Sequence, residues 1–271
     1  MAREDILKEI RSFKETKNLE FSDADLLTIY NYVLEKKAFI ENKKTGYEPV
    51  LKSNPYRIEL VPSDKLNEQL KLQEKRERID TLLHKNYITE ATLDGFDTFN
   101  LERQTIITVA KDFVDRFSEK SYVRGLYIYG KNRTGKTYIL SAIANALAEK
   151  GIKSMFVYVP DLVRSMRDSI DDGSLEVKIK QLKNCDLLIL DDIGSSFLTP
   201  WFRDEILGSV IQHRLNLGLP VLFSSNLDIK TLTSYLVDPK SENDKINAVR
   251  IVTRITEMAQ PLKLSDDAYK K

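Results

Sequence analysis

The chain has 271 residues, 42% of them hydrophobic and 31% charged, enough to fill an ordinary core in one large domain or two. Its 42 lysines and arginines nearly cancel 41 acidic residues, so no global basic field holds nucleic acid and any such binding must be local. One cysteine (Cys185) and two distant histidines (His84 and His213) argue against a disulfide or a zinc site, and without a signal-peptide core or membrane-length apolar run the chain reads as cytoplasmic.

In chain order, "EDILKEIRSF" places Ile6, Ile10 and Phe13 on one helical face. Ser22 and Asp25 make a capping-box-like start to a second amphipathic helix, "SDADLLTIYNYVLEKKAFI". "GYEPVLKSNPYRIELV" then predicts two short strands around the turn signal Ser53-Asn54-Pro55. Residues 1–64 are thus expected to form a small α+β or mostly helical module. "DKLNEQLKLQEKRERIDTLL" has almost no apolar face in its middle, which predicts an exposed connector helix and a linker over 65–81.

From residue 82 to 271 the pattern alternates. A helix, "NLERQTIITVAKDFVDRF", precedes the strand "LYIY" and the helix "KTYILSAIANALAEK". Strand "SMFVYV", helix "DLVRSMRDSI", strand "DLLIL", helix "PWFRDEILGSVIQHRLNLG" and strand "VLFSSN" follow. Short continuous apolar runs separated by helical segments predict an α/β fold with a parallel sheet covered on both faces.

The junction between "LYIY" and its helix is Gly130-Lys131-Asn132-Arg133-Thr134-Gly135-Lys136-Thr137, a match to G-x-x-x-x-G-K-[ST] in strand–loop–helix context. Glycines let the backbone N–H groups turn inward to phosphate oxygens, and the following helix adds its positive end. Lys136 is placed to reach the β- and γ-phosphates of ATP, and the Thr137 hydroxyl to coordinate Mg2+. Arg133 stands where many such loops carry glycine, which is tolerable if its torsions are ordinary. Asp191 and Asp192 end an apolar strand 55 residues after Lys136. Two carboxylates at a strand tip repel and lose hydration unless a cation compensates them, so Asp191 is expected to hold Mg2+ and Asp192 to orient or activate the attacking water. Asn226, 35 residues beyond Asp191, tips another strand and is a candidate γ-phosphate or water contact, or else a turn-forming residue. Lysine, acid pair and amide would then share the carboxyl edge of one sheet, where such folds bind ligands.

"YIYGKNRTGKTYILSAIAN", "VYVPDLVRSMRDSI", "LLILDDIGSSFLTPWFRDEIL", "QHRLNLGLPVLFSSN" and "AVRIVTRI", taken in order, resemble the AAA+ ATPase domain of the bacterial replicative helicase loaders, the DnaI/DnaC family. "GYEPVL" in the first module is similar to the DnaI helicase-binding domain. The resemblance implies ATP-controlled placement of a DnaB-type hexameric helicase on single-stranded DNA, with self-association in the ATP state. It makes Lys136 and Thr137 the Walker A residues, Asp191 and Asp192 Walker B, and Asn226 sensor 1. Arg250 and Arg254 match the region that supplies arginine fingers to a neighbour, and equally fit an exposed basic helix face. The 45 residues after Asn226 are too few for a full lid, so a truncated one is expected. DnaI-type modules hold zinc through cysteines; this one has none, so it is expected to fold without zinc. Arg164 and Arg167 read first as a solvated helix face and second as contacts to single-stranded DNA. Two alternatives stay open: an IstB-like transposition helper ATPase, and an adaptor that binds nucleotide without turnover.

Overall fold

The computed structural model describes residues 3–77, 79–80, 87–118, 122–238 and 244–264. The chain divides into two compact units, Met1–Glu74 and Lys75–Lys271. Residue 82, the expected start of the second domain, and His84 lie outside the described residues.

The first unit carries α1 (Arg3–Ser12), α2 (Leu26–Glu41) and the antiparallel strands β1 (Tyr47–Lys52) and β2 (Arg57–Pro62). The two strands flank the expected turn. Ile10, Ile29, Tyr32 and Val33 form the core beneath them, with Leu51 and Ile58 packed against it. Lys36 of α2, almost fully buried, donates to Glu48 at 2.7 Å and to the Pro49 carbonyl at 3.2 Å, tying helix to hairpin. The Ser22–Asp25 pair forms but does not cap. Ser22 Oγ donates to the Asp25 carboxylate (2.6 Å), closing a turn, and α2 begins only at Leu26 without a side-chain cap. Helix α3 (Asp64–Glu77) follows the hairpin, as the polar connector pattern predicts.

In the second unit β3 (Ile79–Asp80), β4 (Gly125–Tyr129), β5 (Ser154–Tyr158), β6 (Leu187–Asp191), β7 (Val221–Ser225) and β8 (Ala259–Lys263) form a parallel sheet in the order β3-β5-β6-β7-β4-β8. Strand residues alternate between two cores. Leu126, Ile128, Phe156, Ile189 and Leu222 pack beneath α4 (Leu101–Ser118) and α5 (Lys136–Glu149). Tyr127, Val157, Leu188, Leu190 and Phe223 face α6 (Val159–Asp172), α7 (Leu175–Asn184), α8 (Gly208–Asn216), α9 (Ile229–Leu236) and α10 (Asp244–Met258). The fold is the expected α/β sheet covered on both faces.

Several elements were not predicted. Helix α7 buries only Ile179 and Leu182, too little for a clear apolar stripe. Strand β8 contains Pro261, which a sheet accepts at an edge because no ladder hydrogen bond is lost there, and β8 is the edge beside β4. After Asn226, where a truncated lid was expected, the described residues include α9, α10 and this strand. The segment predicted as one helix after Pro200 opens with a π-helical stretch, Phe202–Leu207, before α8. Trp201 is half-buried and Phe202 fully buried, so both serve packing. No helix among the described residues is long and apolar enough to cross a membrane.

Candidate functional site

β6, β7 and β4 lie side by side, so the Asp191 tip, the end of β7 and the loop after β4 share one carboxyl edge. The chain leaves β4 at Gly130, where a Cβ would sit 2.0 Å from the Leu264 carbonyl oxygen; only glycine fits. The Gly130 N–H donates to the Ser225 carbonyl at 3.1 Å and hooks the loop to β7. Gly135, at φ 103°, turns the chain into α5 and directs that helix's N-terminus at the cleft. Arg133 departs from expectation: its φ is 65°, in the left-handed region that glycine occupies without steric cost.

Lys136 is 7% exposed, and its ammonium donates to the carbonyls of Gly130 (2.9 Å) and Lys131 (2.7 Å) and to Asn226 Oδ1 (2.9 Å). The other end of the Asn226 amide donates to Asp192 Oδ1 at 3.2 Å, so one side chain bridges lysine and acid. Thr137 Oγ1 lies 3.2 and 3.1 Å from the two carboxylate oxygens of Asp191. Threonine and aspartate offer oxygen donors only, the set that a hard cation such as Mg2+ takes. Asp191 is buried, while Asp192 is half-buried, at φ 64°, and accepts from the Tyr158 hydroxyl at 3.4 Å. Burial, and then the Asp192 charge, raise the Tyr158 phenol above its ordinary pKa, so it stays a donor.

These side chains open onto a cavity of about 330 Å³. Asn132, Arg133 and Gly135 line it beside Lys136 and Thr137; Ile88, Phe96 and Tyr138 are apolar lining. Lys136, the Asp191–Asp192 pair and the Asn226 amide meet here.

A family model described as IstB-like ATP binding protein matches residues 60–271. The replicative helicase loader DnaI of Bacillus subtilis (strain 168) is 32% identical over 98% of this chain and 89% of its own. The chain belongs to the DnaI/DnaC family of replicative helicase loaders. A crystal structure of DnaI matches at TM-score 0.65 and 34% identity, covering 69% of this chain and 98% of that one. The crystal structure of the DnaC helicase loader matches at TM-score 0.54 and 27% identity, over 67% and 99%. The IstB-like match is at family level only and does not favour a transposition role. As an AAA+ ATP-binding protein of the loader family, the chain has its nucleotide motifs in one cleft.

The remaining candidates lie elsewhere. Arg250 and Arg254 line a separate cavity of about 270 Å³ with Asp204, Asn247 and Ile251. Arg250 is exposed and Arg254 half-buried. Arg164 and Arg167 project from the exposed face of α6, and Arg164 pairs with Asp161. The motifs did not point to Arg103. It is fully buried on α4, donates to the carbonyls of Asp97 (2.5 Å) and Thr134 (2.7 Å), and stacks its guanidinium over Phe96 at 4.2 Å. Its signal was register: Arg103, Ile106, Ala110 and Phe113 share the buried stripe of α4. Cys185 is partly buried and packs against the core. Burial raises its thiol pKa, and Arg214 donates to its sulfur at 3.3 Å.

Proposed function

We propose that the chain is a magnesium-dependent ATPase that loads a DnaB-type hexameric helicase onto single-stranded DNA in the cytoplasm. The observation that carries the reading is the Lys136–Asn226–Asp192 chain of contacts beside the Thr137–Asp191 pair. Phosphate oxygens are stronger acceptors than the neutral carbonyls that Lys136 now holds, so the ammonium can transfer to a β,γ-phosphate within the same cleft. Thr137 and Asp191 would hold Mg2+, which neutralises phosphate charge. Asp192, oriented by Asn226 and Tyr158, would accept a proton from the attacking water. The loop N–H groups and the α5 terminus would hold the phosphates in line.

Arg250 and Arg254 would act on a neighbouring copy in the ATP-bound assembly, since they face a cavity other than the cleft. Chains carrying Lys136→Ala and Arg254→Ala, each inactive alone, should recover hydrolysis when mixed; no recovery in co-assembled mixtures would refute action in trans. The first unit would dock the helicase and fold without zinc, and Arg164 and Arg167 would meet single-stranded DNA. The loading reading is tested by transfer of helicase onto single-stranded circles. Wild type should transfer it with ATP and Lys136→Ala should not; equal transfer by both would overturn the reading.

A further inference from the structure

The acid pair is held by a residue that no motif names. Ser224 is almost fully buried near the end of β7, on the strand between β6 and β4. Its hydroxyl donates to Asp191 Oδ1 at 2.5 Å and accepts from the Asp192 N–H at 2.8 Å, while its carbonyl accepts from the Ile193 N–H at 2.9 Å. Three consecutive residues of the acid turn are therefore fastened to one serine. The turn needs fastening. Asp192 sits at φ 64° without being glycine, a conformation that persists only where surroundings over-determine it. Asp191 is likewise pinned from two sides, by Ser224 on one oxygen and by Thr137 across both. The neighbouring inward position on β7, Leu222, is apolar core, so a hydroxyl at Ser224 is a departure from the packing around it.

We infer that Ser224 is a positioning residue: its hydroxyl sets the Asp191 carboxylate for Mg2+ and fixes the backbone that aims Asp192. The inference rests on reading the cleft as a magnesium–ATP site. Alanine would leave a carboxylate oxygen and a buried N–H without their partner, a loss that for hydrogen bonds to charged groups corresponds to about tenfold to a hundredfold. Threonine keeps the hydroxyl on the same Cβ.

The test is a thermal-shift titration of full-length protein with ADP, with and without Mg2+, on wild type, Ser224→Ala, Ser224→Cys and Ser224→Thr. The Mg2+ needed for half of the nucleotide-induced shift should rise about tenfold in Ser224→Ala, and in the same direction in the weakly hydrogen-bonding Ser224→Cys. Ser224→Thr should stay near wild type, and the magnesium-free ADP response should be the same in all four. An unchanged Mg2+ requirement in Ser224→Ala and Ser224→Cys, or an equal rise in Ser224→Thr, would overturn the role of the hydroxyl. A wild type with no Mg2+-dependent response would instead remove the site reading beneath it.

Discussion

Arg133 shows how a motif match can hide a backbone cost. Its exposed side chain makes no demand on the left-handed torsion that the loop imposes, so an L-residue there costs about 1 kcal/mol or more relative to glycine. Arg133→Gly should raise the thermal midpoint by about 2 °C and leave nucleotide binding intact, whereas Arg133→Ala, equally strained, should give no gain. A gain in Ala equal to that in Gly would place the effect in the side chain instead. That Lys136, Thr137, Asp191, Asp192 and Asn226 would meet was legible in the sequence, because their motifs fall at two strand tips and at the loop that opens α5. Ser224 and Tyr158 were not legible, and of Arg103 only its place in the buried stripe of α4 was. Each acts by reaching a distant backbone or carboxylate atom, and a serine in a strand or an arginine in a helix carries no sign of that partner.

At the scale of elements, buried arginines do much of the joining. Arg214 donates to the carbonyls of Leu182 and Lys183 at the end of α7 and to Pro220 before β7, satisfying acceptors that a helix leaves open. Arg203 joins the Leu236 carbonyl at the end of α9 to Asp244 at the start of α10, in a bidentate pair at 2.5 and 2.6 Å. Arg203→Met would strand a buried carboxylate and should cost about 3–5 kcal/mol. Hydrogen bonds from Arg203 hold the Asp244 carboxyl below the usual range. A depressed carboxylate contributes stability above its unfolded pKa and loses it as pH falls through the folded value. The thermal gap between wild type and Asp244→Asn should therefore be full near pH 6 and close progressively below about pH 4. A gap constant down to pH 2 would show that the charge of Asp244 is not what matters. Periodicity marked the helices with a broad, mainly apolar stripe, such as α5. It missed α7 and α9, short helices held largely from outside: α7 by Arg214, and α9 by the Asp228 cap on the Thr231 N–H (2.7 Å) and by Arg203.

In the molecule as a whole, the sheet order explains why the candidate residues share one edge. Placing β7 between β6 and β4 puts an amide and a serine between the acid pair and the phosphate loop, and each bridges to one side or both. The α/β class and this edge followed from alternating apolar runs; the return of the chain as β8 did not, because a proline-bearing edge strand breaks the pattern. Turnover of ATP at this edge, as proposed above, is checked by measuring steady-state hydrolysis beside equilibrium ATP binding in Asp192→Asn. Exchanging carboxylate for amide keeps shape and removes the proton acceptor. Binding should remain within about twofold of wild type while turnover falls about a hundredfold or more. Turnover equal to that of wild type, with ATP bound equally well, would show that Asp192 is not the proton acceptor and that this edge does not hydrolyse ATP as proposed.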